Sequence, residues 1–257
     1  MTGGKGGVGK THLVANLGVV AARRGFKTVV IDADAALASL HVLFGLTPDL
    51  HFGDVLDGAS LDEALLETPQ GVALLPASSG ERSLIRLADS QRLLQRAVWD
   101  ELAERFDLVL IDCPPGMGRD ALEAAAAADQ VVLVTTPEPT ALVDAGTIAL
   151  ALDQEVGVRK IDVVINAIRS DRQAALAFSR LHGCEAAGGP RLRLLGALPD
   201  DHNVRRAAAL SRPLVTLAPS SPAARAIERL ADGLLAAPSE ELPGGGVIGF
   251  ERRLRER

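Results

Sequence analysis

The sequence predicts an α/β fold: a mostly parallel sheet with helices on both faces. Two observations carry that prediction. Short apolar runs alternate with helical periodicity to the end of the chain, and the runs are continuously apolar instead of alternating apolar with polar. Strands buried on both faces read that way, and such burial accompanies parallel pairing under crossover helices. No repeat of 20–50 residues is visible, so a solenoid is not expected.

The elements follow in order. Lys10 to Arg24 reads as a helix closed by Gly25, and Phe26 to Asp32 as a buried strand ending in an acid. Ser60 is placed to cap a short helix through Leu66, and Val72 to Pro76 is a further apolar run. Helical spacing of Leu93, Leu94, Ala97, Val98 and Leu102 predicts a helix over 90–105 with those residues inward. Leu108 to Asp112 is a strand stopped by Pro114-Pro115-Gly116. Strands are expected again at Val131–Thr135, Ile161–Asn166 and Leu192–Leu198, with helices between them. Composition changes at Pro238, so the reading is one domain over 1–238. A flexible joint at Pro243 to Gly246 and a basic tail make up 239–257.

Composition narrows the function classes. The 257 residues suffice for one large α/β domain with a sizeable core. Tyr is absent and aromatics are 3%, which leaves little for stacking nucleic-acid bases, and a net charge of −6 gives no generally basic surface. Cys113 and Cys184 stand alone, as in a reduced cytosolic protein. Apolar stretches such as Leu13 to Ala22 are about half a membrane span, and no signal peptide is visible, so a soluble cytoplasmic chain is expected.

The chemistry begins at Gly4-Lys5-Gly6-Gly7-Val8-Gly9-Lys10-Thr11, a full match to G-x-x-x-x-G-K-[ST]. Its glycines let backbone N–H groups turn around phosphate oxygens, and the helix that follows adds its positive end. Lys10 would reach the β- and γ-phosphates, and Thr11 Oγ would ligate Mg²⁺. Asp112 closes LVLID, where P-loop proteins hold an acid that orients Mg²⁺, and Asp32 and Asp34 follow TVVI toward the same sheet edge. One acid there can position the attacking water and another can sense the metal. The reading is a P-loop NTPase using ATP and Mg²⁺.

At these residues the chain resembles the ParA/MinD family of deviant Walker ATPases, whose mark is the additional lysine, here Lys5 in KGGVGKT. The resemblance implies a homodimer closed over ATP, with Lys5 reaching the partner's phosphates much as an arginine finger does. It implies that Asp34 activates water, that Asp112 is the Walker B acid with Asp32 close by, and that Asn166 bonds the adenine edge. Pro199 and Asp200 would line the base pocket. The segments VVIDADAALASLHVLFGL, LVLIDCPPGMGRDAL, VVLVTTPEPTALVDA and SPAARAI look most like the flagellar-number regulators (FlhG/FleN-like), and less like division-site MinD or chromosome-partitioning ParA proteins, whose role is the alternative. That branch implies partners such as an SRP-type GTPase, a flagellar transcription activator or flagellar switch proteins. Family members that carry iron–sulfur clusters need ligating cysteines, and Cys113 and Cys184 do not meet that pattern.

Three segments depart from or extend the family pattern. Only Met1-Thr2-Gly3 precede the loop where the family has an apolar strand, so the strands at 108–111 and 131–134 are expected to flank a gap. The family's Asp-x-Gly-x-x-Asn-x-Asp reads here Asp34-Ala35-Ala36-Leu37-Ala38-Ser39-Leu40-His41, which predicts slow hydrolysis or a nucleotide-binding scaffold with little turnover. The tail VIGFERRLRER carries four arginines against two glutamates. In membrane-binding family members a short amphipathic helix stands there, so 247–257 is a candidate for weak peripheral contact with the inner face of the membrane. An ATP-dependent amidoligase of the same fold class is a further alternative, in which Lys5 is less expected.

Overall fold

Two five-residue runs, TVVID and LVLID, lie side by side in register, so that Asp32 and Asp112 end level with each other. The computed structural model describes residues 1–34, 38–77 and 89–236. In chain order the elements are α1 (Lys10–Arg23), β1 (Thr28–Asp32), α2 (Leu40–Leu43), α3 (Phe52–Leu56), α4 (Leu61–Ala64), β2 (Leu66–Glu67), β3 (Ala73–Leu75) and α5 (Asp89–Arg105). They continue with β4 (Leu108–Asp112), α6 (Arg119–Ala127), β5 (Val132–Thr135), α7 (Pro139–Val156), β6 (Lys160–Ile168), α8 (Asp171–Ala186) and β7 (Arg191–Pro199). Three helices close the described chain: α9 (His202–Ala209), α10 (Leu214–Leu217) and α11 (Pro222–Leu235).

The strands form two blocks, β2-β3-β1-β4 and β5-β6-β7, all parallel except β2 against β3. Alternation of side chains sorts the core by face. Val30, Leu110, Val132, Val134 and Val164 point to the face covered by α1 and α11. On the other face, Val29 and Ile31 meet α5 and α6, while Leu133, Val163 and Ile165 meet α7 and α8. The sheet is thus sandwiched, as continuously apolar strands require.

Between the blocks, Met1-Thr2-Gly3 form a stub of strand. The Met1 ammonium meets the Ile111 carbonyl, and Cys113 N–H donates to Met1 O at 3.0 Å. On the other side Thr2 N–H donates to Val132 O and Val134 N–H to Thr2 O, both at 2.9 Å. The expected gap is therefore bridged at its carboxyl end. Below the stub it remains a cavity of about 930 Å³ between β4 and β5.

Several expectations need correction. The helix after Ser60 stops at Ala64, Ser60 makes no side-chain cap bond, and Leu66 belongs to β2, where it pairs with Leu74. In α5, Leu102 is buried as expected, but Leu93, Leu94 and Ala97 are exposed, and Arg92, Gln95 and Trp99 are buried in their place. The cause is electrostatic. Arg92 Nη1 sits 2.6 Å from Glu123 and 2.8 Å from Asp120 on α6, and these charge-assisted bonds fix which face of α5 turns inward. Asn166 lies within β6 at a register irregularity, not at the strand's end. No helix of the described residues is long and apolar enough to cross a membrane. The tail lies outside the described residues.

Candidate functional site

The phosphate loop is shaped by two close approaches. At Gly4 a Cβ would stand 2.6 Å from the Asp144 backbone, so only glycine lets the loop lie against α7. Gly9 has φ 97°, and a Cβ there would meet Asn166 Nδ2 at 2.3 Å. From Gly9 the chain enters α1 with no side-chain cap and no acid in the first turn. The first N–H groups of a 14-residue helix are thereby left for an anion. Gly6 and Gly7 are exposed at the crest, and Val8 packs into the core below.

Under the loop lies a buried charged cluster. Lys10 is 7% exposed and Asp112 is 1% exposed. Asp112 Oδ1 is buried without a hydrogen-bond partner. Burial raises the Asp112 pKa, while the Thr11 hydroxyl, the Met1 ammonium and Lys10 pull it back. An orphaned carboxylate oxygen beside a threonine hydroxyl and a lysine fits a hydrated Mg²⁺ that takes its remaining ligands from phosphate. It does not fit an all-protein cage: among the described residues no three His, Cys, Asp or Glu are grouped to hold a metal.

Asp32, level with Asp112, is used differently. Its carboxylate accepts from Asp34 N–H at 3.1 Å, Ser39 N–H at 3.0 Å and Leu40 N–H at 3.1 Å. Both oxygens hold the segment after β1 in place, which brings Asp34 to the same edge of the sheet. Residues 35–37 of that segment lie outside the described residues. Burial pushes the Asp32 carboxyl up to about 7, helped by the neighbouring Asp112 charge and opposed by the three amides. A carboxyl raised in the folded state binds its proton there between its unfolded pKa and about 7, so its contribution to stability falls as pH rises through that window. With both carboxyls raised, nucleotide-free protein is expected to gain stability as pH drops from about 8 to 6. Below about 7 the slope from Asp32 alone approaches roughly 1.4 kcal/mol per pH unit. Melting curves of the wild type and Asp32→Asn across that range check it: the variant should lose most of the slope.

Three other candidates are placed as follows. Lys5 turns outward, with Nζ 3.0 Å from Glu138 Oε2 at the start of α7, both side chains largely exposed. The Asn166 amide is used by the protein itself: Nδ2 donates to Val8 O at 2.8 Å and Oδ1 accepts from Ala167 N–H at 2.8 Å. It tethers the loop to β6, and a base bound there would compete with the Val8 carbonyl. Pro199 ends β7, and Asp200 N–H donates to Ile168 O at 2.9 Å, so the ends of β6 and β7 stay together beside the loop. Gly9, His12, Asn16, Asn166 and Leu198 line a small cavity of about 30 Å³ at this place.

Sequence reasoning missed Glu138, Asn16 and Asp201. Asn16 is buried in α1, donates to His12 O at 2.6 Å and accepts from Val215 N–H at 2.9 Å, tying α1 to α10. A lone amide inside the apolar run HLVANLGVV was the available signal. Asp201 caps α9 and also accepts from Ala223 N–H at 3.1 Å, which fixes α11 behind the site.

A parallel sheet carrying an uncapped glycine loop, a buried lysine and an orphaned carboxylate oxygen defines a P-loop nucleoside-triphosphate-binding protein. A family model described as ParA, NUBPL iron-transfer P-loop NTPase, matches residues 1–235. The chain belongs to that MinD/ParA family. It is 32% identical to the antiactivator FleN of Pseudomonas aeruginosa, over 99% of this chain and 91% of that one. It is 30% identical to the flagellum site-determining protein YlxH of Helicobacter pylori, over 99% and 88%. The septum site-determining protein MinD of Pyrococcus horikoshii, solved with Mg-ADP, superposes with a TM-score of 0.78 at 29% identity, covering 94% of this chain and 97% of that one.

Proposed function

We propose that this protein is an ATP-driven homodimerisation switch that regulates flagellar number or placement, with hydrolysis setting the lifetime of the dimer. The observation that carries the reading is the buried Lys10 and the unpartnered Asp112 Oδ1, with the half-buried Thr11 beside them, beneath an uncapped helix N-terminus. Likeness to FleN and YlxH supports the flagellar output, and the word antiactivator in FleN's name favours a transcription activator as partner. An SRP-type GTPase and flagellar switch proteins are the other partner classes. The working location is the cytoplasm, with weak membrane contact through 247–257.

Each side chain has a task in this reading. The loop amides and Lys10 hold the triphosphate, and Thr11 with Asp112 would hold Mg²⁺, which when bound neutralises charge on the β- and γ-phosphates. Asp32 keeps the segment after β1 pinned so that Asp34 can orient a water. Met117, 47% exposed, follows Gly116, whose N–H donates to Gly3 O, and Val143, 69% exposed, precedes Asp144, against which Gly4 lies; a second copy would cover both. Lys5 acts on the partner's nucleotide once it leaves Glu138. That exposed ion pair is worth about 0–1 kcal/mol, so it restrains Lys5 without locking it.

The test is light scattering after size exclusion. The wild type should be monomeric with ADP and dimeric with ATP, Lys5→Ala should stay monomeric with ATP, and Glu138→Gln should favour the dimer by up to a few-fold. A wild type that stays monomeric at saturating ATP would remove the switch. A nucleotide-binding scaffold with little hydrolysis, the reading favoured by the altered segment after Asp34, predicts the same dimer with negligible phosphate release. Iron transfer gains no support, since Cys113 and Cys184 are buried thiols on β4's outgoing loop and on α8, their pKa values raised by burial.

A further inference from the structure

The surroundings of the phosphate loop fix which way a bound nucleotide runs. Gly3 leads into the loop from between β4 and β5, and β6 and β7 follow beyond β5. Asp112, whose orphaned oxygen suits Mg²⁺, ends β4. The terminal phosphates, which take the metal, belong on that side. The sugar and base are left to extend the other way, over the carboxyl ends of β6 and β7.

His12 stands on this second side. Successive residues of a helix are turned by about 100° from one another. Lys10 is buried under the loop and the Thr11 hydroxyl meets Asp112, so the next residue is carried round, away from β4. Side chains on a helix also lean toward its N-terminus. The His12 ring accordingly reaches back to the level of Gly9, and both line the cavity of about 30 Å³ with Asn166 of β6 and Leu198 of β7. Such a cavity holds no more than about one water, so a nucleoside would lie across its mouth, with His12 on the α1 side and Asn166 on the sheet side.

The ring is also unengaged. His12 is half-buried, and its carbonyl accepts from Asn16 Nδ2 at 2.6 Å. Among the described residues no side chain bonds or pairs with its imidazole, and Val204, Leu214 and Ile227 on the far wall of the cavity offer it only apolar surface. A half-buried ring nitrogen so placed is available to a ligand.

We infer that His12 is the nucleoside-facing residue of α1, a ring nitrogen bonding the sugar or base of the bound nucleotide, so that the site separates a nucleoside triphosphate from a bare polyphosphate. His12 follows directly on the motif Gly4 to Thr11 and adds a contact that the motif itself does not supply. The inference rests on the ATP-binding reading above.

The experiment is calorimetric titration of ATP and of inorganic tripolyphosphate, each with Mg²⁺, into the wild type, His12→Ala, His12→Leu and His12→Gln. Alanine and leucine should each weaken ATP by about tenfold, the scale of one lost hydrogen bond, and leave tripolyphosphate within about twofold. Glutamine, whose amide can stand in for the ring nitrogen, should hold ATP within about threefold of the wild type. Unchanged ATP affinity in His12→Ala would overturn the inference. So would an equal loss for both ligands, which would put the ring at the phosphates, or full affinity in His12→Leu, which would reduce it to packing. A wild type that binds tripolyphosphate as tightly as ATP would overturn it while leaving the phosphate loop intact. A wild type that binds neither ligand would remove the ATP-binding reading, and this inference with it.

Discussion

Replacing Lys10 with alanine is expected to weaken ATP binding by roughly 10²- to 10³-fold. Lys10 is buried under the loop, in the first turn of α1, so its ammonium meets phosphate away from bulk water, where charge is poorly screened. Truncating one partner of a desolvated charge pair costs about 2–5 kcal/mol, and every 1.4 kcal/mol is tenfold in affinity. Fold stability should change far less, because Lys10 sits in a site built for a ligand. Titration calorimetry gives the affinity directly. Melting gives a second readout: a ligand at 100 times its Kd stabilises by about 2.7 kcal/mol, and the variant should show little of that. A variant with near-normal affinity would mean that the loop binds phosphate through its amides alone.

Asp34→Ala is expected to lower phosphate release by roughly 10²-fold or more while leaving ATP binding and the ATP-bound dimer intact. The reason lies in how the segment is held. Asp34 donates its own N–H to Asp32 at 3.1 Å, and Ser39 and Leu40 grip the other carboxylate oxygen, so the backbone survives loss of the Asp34 carboxylate. Removing a group that orients water slows chemistry without removing a contact to phosphate, which should raise the fraction of dimer at a fixed ATP concentration. Steady-state phosphate release and light scattering on the same sample separate the two effects. Loss of the dimer along with hydrolysis would place Asp34 in nucleotide binding instead.

How far the residues disclose the fold depends on whether the deciding interaction is local. The strand Leu108–Asp112 matched its expected bounds because its apolar run is closed within the chain by Pro114-Pro115-Gly116. Lys10–Arg23 was legible for the same reason, between a glycine loop and Gly25. By contrast, the buried face of α5 is set by Glu123, 31 positions from Arg92, and periodicity of Leu93 and Leu94 cannot register a partner on another helix. At the site, the motif named the right loop, yet Lys5 finds Glu138 at a separation of 133 positions. Asn166 spends its amide on Val8 at a separation of 158. Asp32 was read as an acid near the metal; its oxygens turn out to hold backbone amides, a role that leaves no trace in side-chain identity. A gap between the strands at 108–111 and 131–134 was legible as an expectation. Only the packed structure shows Met1 and Thr2 bonding both of its walls.

The central claim is that Gly4 to Thr11, with Asp112 beneath, grips a triphosphate through Mg²⁺. The most direct measurement is calorimetric titration of ATP into the folded wild-type chain, with Mg²⁺ and with EDTA. One ATP bound per chain, at least tenfold tighter with Mg²⁺, is the predicted result. No uptake of ATP in either buffer, by protein whose helical circular dichroism is intact, would contradict it.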